Sequence, residues 1–311
     1  MPGWREIADR AVRGLGVRAG EVVQIREHSG RFEVVLEMAL AVERAGATPL
    51  PELTPPSYVD RLLHEAGADH LAAWDRHRIE WLRRVDRVLV LQGADLDLAT
   101  APGPARDAWT SAVHRLVELE DERRLPFLLV AVPTPERAEV LSLPFDALES
   151  RLLPALAATV EELQRPIERT LARLREGSTL TLRGADGCEL RMSTTGRHWL
   201  ADDGLIDAED RRRGGHVSNL PAGSVYSTVV ENSVVGQLRL PPASGTGDVR
   251  LTFEGGRIVA VAGDGRDRFE SLLMQHSGDR DRISHIGIGL NPYLREAVGW
   301  PLVGQLVCLL P

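Results

Sequence analysis

Two short apolar runs, Arg87–Leu91 (RVLVL) and Pro126–Val132 (PFLLVAV), constrain this chain more than any other feature. Neither alternates apolar with polar residues, so each reads as a strand covered on both faces, the second closed by Pro133. Covering both faces requires helices between parallel strands, and the flanking sequence supplies them. Ile7, Ala11, Val12 and Leu15 share one helical face that Gly16 stops, and Glu21–Ile25 (EVVQI) follows as a short strand. Phe32, Val35, Leu36, Ala39 and Leu40 mark an amphipathic helix ending at Gly46, after which residues 48–50 form the next strand. Thr54-Pro55-Pro56 opens a further helix running to Gly67, with Thr54 as its cap and proline tolerated in the first turn. Ala105–Glu120 reads as helix. The first part of the chain, up to about residue 135, therefore predicts an open, doubly wound parallel sheet. Such a sheet invites a nucleotide, but neither GxGxxG nor GxxxxGK[ST] follows any of these strands, and fold alone licenses no cofactor.

From Pro144 to Arg175 the pattern is helical, with Leu148, Leu152, Leu156, Val160 and Leu163 at near-helical spacing and Pro166 as an expected kink or break. After Gly177 the character changes to short alternating runs bounded by Gly, Pro, Asp or Ser: residues 179–182, 189–192, 225–230, 237–240, 249–253 and 258–261. The expected organisation is an open-sheet α/β domain with a bridging helix over 1–176 and a β-rich α+β domain over 177–311, with a helix at Arg266–His276.

The net charge of −8, carried against basic residues that are all arginine, argues against nucleic acid or an anionic membrane as partner and leaves a small molecule as the expected ligand. Cys188 and Cys308 are too few for a disulfide framework or a thiolate metal site, no export signal opens the chain, and no apolar run is long enough to span a membrane. A cytoplasmic location is the expectation.

The chemistry concentrates in Ser284-His285-Ile286-Gly287-Ile288-Gly289-Leu290-Asn291-Pro292, where an imidazole at a strand end is followed by two glycines that let a backbone or ligand approach. No GxSxG elbow occurs, which counts against a serine hydrolase, whereas His285 acting as general base or metal ligand is open. His216, His276 and Glu231 are candidates to complete a site around it; Asp202 and Asp203 read as a turn, and His198 as an ordinary surface or core residue.

Several segments, in order, resemble the thermophilic metallo-aminopeptidases of aminopeptidase T and S type, to which 2,5-dihydroxypyridine dioxygenase is also related. They are Val17–Val23, Ala45–Pro49, Gly196–Trp199, Asn219–Tyr226 (NLPAGSVY), Glu231–Gly236 (ENSVVG) and His285–Pro292 (HIGIGLNP). The resemblance implies a two-metal hydrolase whose carboxylates and histidines activate water. Two of the family's metal-binding glutamates fall on Ser224 and His285. Serine is a poor replacement for a carboxylate, whereas a histidine in an HIGxGLNP context is shared with the dioxygenase branch, which holds one iron with a later His-x-Asp pair. The chain reaches Pro311 without a counterpart of that pair. What the resemblance then implies is an enzyme acting on a small aromatic or amide-containing metabolite in an interdomain cleft. His285 and Glu231 would be catalytic, His285, His276 and His216 would bind metal, and Asn219, Ser224, Tyr226 and Asn291 would contact substrate. The cofactor would be one Fe(II) or another divalent ion, or none, and the assembly a homodimer. A residual metallo-aminopeptidase and a metal-free binding relative are the alternatives.

Overall fold

The computed structural model of the protein describes residues 2–93, 96, 98, 100–240, 247–274, 278–294 and, as backbone, 307–309. The strands of the first half are β1 (Val22–His28), β2 (Thr48–Leu53), β3 (Arg87–Gln92) and β4 (Phe127–Ala131). They are followed by β5 (Thr179–Arg183), β6 (Glu189–Ser193), β7 (Leu200–Asp202), β8 (Val217–Leu220) and β9 (Ser224–Thr228). The last are β10 (Val235–Leu240), β11 (Val249–Glu254), β12 (Arg257–Ala262), β13 (His285–Gly289) and β14 (Val307–Leu309).

The chain divides into two units. The first comprises Met1–Glu139, Leu143–Ala157 and Gly204–Pro221. Its sheet, in the order β2-β1-β3-β4-β8, is parallel throughout. β3 is buried along its first five residues, as its unbroken apolar run requires. Helix α1 (Trp4–Leu15) precedes β1, and α2 (Phe32–Arg44), α3 (Pro56–Glu65), α4 (Ala68–Ala72), α5 (Arg76–Leu82) and α6 (Gly103–Arg123) connect the strands. α1 ends where Gly16 turns left-handed at φ +68°, donating its N–H to Arg13 and Val12 carbonyls. Thr54 is not the cap of α3: Pro55 holds the N-cap position and no side chain caps it, while Thr54 is buried. The later segment 204–221 returns to this unit because it is pinned to α1. The Ile206 N–H donates to the Gly14 carbonyl (2.8 Å) and Arg10 Nη1 to the Gly204 carbonyl (3.1 Å).

The second unit comprises Val140–Ser142, Ala158–Asp203 and Ala222–Pro311. It holds an antiparallel sheet, β12-β11-β10-β6-β5, and a smaller one, β14-β13-β9-β7. The helical stretch 144–175 breaks not at Pro166 but at Thr159, whose hydroxyl accepts from the Glu162 N–H while Glu162 accepts from Thr159 N in a capping box. Pro166 lies inside the second of the two resulting helices, Val160–Arg175. Among the described residues no helix is long and apolar enough to cross a membrane.

Candidate functional site

The register of the four-stranded sheet decides which of the candidate residues meet. β9 is central, antiparallel to β7 on one side and β13 on the other. Ser224 lies opposite Asp202 and Gly289, Tyr226 opposite Leu200 and Gly287, and Thr228 opposite His285. Directly opposed residues share a face, and alternate residues along a strand share it too. Ser224, Tyr226, Thr228, Asp202 and His285 therefore stand on one face, while Val225, Ser227 and Val229 are buried on the other. Gly287 and Gly289 leave a strip without side chains between the hydroxyl-bearing residues of β9 and the edge beyond.

Sharing a face is not the same as converging. Four residues separate His285 from the position opposite Ser224, about 13 Å along a strand. The imidazole is exposed, with Nδ1 2.8 Å from the Ser284 hydroxyl. Asp202, expected in a turn, instead ends β7 and is buried beside Ser224, and the chain bends only from Asp203.

The other described candidates have partners of their own. Asn291 is 4% exposed, donating from Nδ2 to the Ala222 carbonyl (2.8 Å) and accepting at Oδ1 from the Tyr293 N–H (3.1 Å). Two backbone bonds grip the same loop: Gly223 N–H to Asp202 O (2.8 Å) and Leu290 N–H to Gly223 O (2.7 Å). A Cβ on Gly223, at φ +104°, would lie 2.9 Å from Leu163 Cδ2 and 3.1 Å from Asn291 Cα, so only glycine lets the loop and Asn291 approach this closely. Asn291→Ala is expected to lower stability by about 1–3 kcal/mol, because it strands a buried carbonyl and N–H. A lowered denaturation midpoint by circular dichroism checks this, and an unchanged midpoint refutes it.

Tyr293, next to that loop, donates its hydroxyl to Glu162 Oε1 (2.6 Å), and this bond, with those from Thr159, holds the Glu162 carboxyl below its ordinary value. Glu231 opens a short 3-10 turn and forms a half-exposed ion pair with Arg197 (3.0 Å). Its place is set by Gly256, packed against the Glu231 carbonyl. His216 and Asn219 belong to the first unit. His216 precedes β8, with Nδ1 2.9 Å from the Gly214 carbonyl and Nε2 3.6 Å from Asp121, and Asn219 lies opposite Leu129. His198 is exposed, its carbonyl accepting from Ser227 Oγ (3.0 Å). His276 lies outside the described residues.

Among the described residues no three His, Cys, Asp or Glu side chains are gathered closely enough to hold a metal ion. Of the two positions where the resemblance places ligands, one is Ser224 and the other, His285, is exposed.

The model of the thermophilic metalloprotease (M29) family matches residues 5–282. Among solved structures the chain is similar to wild-type AmpT from Thermus thermophilus, at 22% identity and a TM-score of 0.72, over 92% of this chain and 77% of that one. That likeness speaks for the fold, a parallel-sheet α/β unit and a β-rich unit in one chain. No curated protein matches.

Proposed function

Because the chain belongs to the thermophilic metalloprotease (M29) family, we propose that it is a peptidase of the aminopeptidase class, acting on the amino end of peptides. The observation that carries this reading is the reach of the family match, which runs from α1 to the loop before β13. The expectation of an iron ring-cleaving dioxygenase finds no support in it: the family match favours peptide hydrolysis, and the histidine on which oxygenation rested is exposed. In the peptidase reading, the face of the small sheet bearing Ser224 and Tyr226 is the substrate side, and Gly287 and Gly289 leave room there for an extended peptide backbone.

A second reading is favoured by one specific observation, the lack of a three-donor cluster among the described residues: a relative that binds peptides without hydrolysing them. One assay separates the two. Purified protein is incubated with amino-acid amides and dipeptides, with and without added cobalt or zinc, and its metal content is measured. Release of the amino-terminal residue that depends on the added ion is the expected result. No release with either ion, from protein that retains no metal, would overturn the peptidase reading in favour of the second.

A further inference from the structure

The first unit contains a cavity of about 320 Å³ that shares no residue with the face just described. It opens at the carboxyl ends of the parallel strands, where His28 ends β1 opposite Gln92, the end of β3, and Glu52 nears the end of β2. The order β2-β1-β3-β4 makes this the switch point: the chain leaves β1 towards β2, then crosses back to β3 on the other side. Open α/β sheets bind ligands in the crevice at that point, because the crossover connections diverge there.

One wall is aromatic. Trp74 and Trp109 meet with ring centroids 4.2 Å apart at an interplanar angle of 53°, and Val59, Val113 and Leu116 continue the apolar surface. The charges at the rim are already matched. Arg26 pairs with Glu120, and Arg78 donates from Nε to Glu52 (2.6 Å) while its guanidinium lies 3.5 Å from the Trp74 centroid. Gln24 joins the two pairs, donating to Glu52 (2.8 Å) and accepting from Arg26 (3.0 Å). His28 faces the cavity without a hydrogen-bond partner among the described residues.

We propose that this cavity binds a small, uncharged aromatic molecule, its ring against the Trp74–Trp109 wall and its polar edge hydrogen-bonded to the His28 imidazole. With the rim charges matched, an ionic ligand would enter desolvated and uncompensated. Burial and the adjacent Arg26 hold the His28 imidazole below the ordinary histidine value, against the smaller opposing pull of Glu27 and Glu52. It is therefore neutral at neutral pH, offering one donor and one acceptor.

Indole serves as the probe, titrated calorimetrically into the full chain at neutral pH, with benzoate and benzylamine as charged counterparts. Indole is expected to bind at least tenfold more tightly than either. His28→Leu keeps the bulk and removes the polar edge, so it should weaken indole about tenfold. Val113→Trp fills the cavity from α6 and should abolish binding. Val117→Trp, placed at the half-exposed rim, serves the same purpose if the deeper variant fails to fold. Absence of indole binding, equal binding of benzoate, or unchanged affinity in the folded filling variant or in His28→Leu would each overturn the assignment.

Discussion

Arg87→Met is expected to lose about 3–5 kcal/mol of stability, the cost of breaking a buried pair by removing one partner. Arg87 begins β3 with a side chain only 4% exposed. Its Nη2 donates to Glu21 Oε1 (2.8 Å) and its Nη1 to the carbonyl of Leu15 (2.8 Å), so one guanidinium joins the end of α1, the entry to β1 and the start of β3. Methionine fills most of the space but leaves the Leu15 carbonyl without that donor. It leaves the Glu21 carboxylate with the backbone N–H of Arg18 (2.8 Å) in place of a bidentate cation. Urea denaturation of the two proteins measures the difference, and a shift below about 1 kcal/mol would sink the argument.

The same pair predicts how the deficit varies with pH. Burial pushes the Glu21 carboxyl up, but the hydrogen bond and charge of Arg87, with the Arg18 N–H, outweigh it, and the carboxyl ends below its ordinary value of 4.5. A carboxyl depressed on folding contributes stability that is complete above the unfolded value and lost as pH falls through the folded one. The gap between wild type and Arg87→Met should therefore be constant near neutrality and narrow below the ordinary carboxylate range.

The second large effect is at the β11–β12 hairpin. Gly256→Ala is expected to cost about 2–5 kcal/mol: ~1–2 kcal/mol for an L-residue in the left-handed region, plus ~1–3 kcal/mol for displaced neighbours. Gly255 and Gly256 have φ +54° and +82°, the mirror-image turn that suits the twist of paired strands. At Gly256 the added Cβ would lie 1.8 Å from the Glu231 carbonyl oxygen and 2.7 Å from Asn232 Cα. The backbone has little freedom to yield, since the Gly256 N–H donates to the Val234 carbonyl (2.9 Å). Gly255 is the internal control, with nothing within 4 Å of its Cβ position, so Gly255→Ala should cost only the positive-φ penalty. Equal melting temperatures for the two variants would show that the contact with the Glu231 segment is immaterial.

Both predictions rest on contacts between segments far apart in the chain, and this is where legibility in the sequence ended. Arg87 reads as an ordinary polar start to a strand, and only the fold places Leu15 and Glu21 around it. The Thr159–Glu162 capping box was present in the sequence as Thr-x-x-Glu, yet Pro166 was the stronger apparent stop, because a proline's missing N–H is felt only where the helix interior needs it. The cavity beside His28 had no motif, since its walls come from β1, β2, β3, α3, α6 and the Trp74 segment.

What the sequence by itself determined was the class of each half. Continuous apolar runs such as β3 demand two covered faces, and alternating runs between turn residues demand an antiparallel sheet, because burial is set locally by side-chain periodicity. Tertiary structure alone decided that β8, a four-residue strand of mixed polarity, would return to close the first sheet. It alone set the β9–β13 register that places Ser224 and His285 on a common face yet four residues apart. Register and strand order follow from hydrogen bonds between distant segments, and no local pattern encodes those.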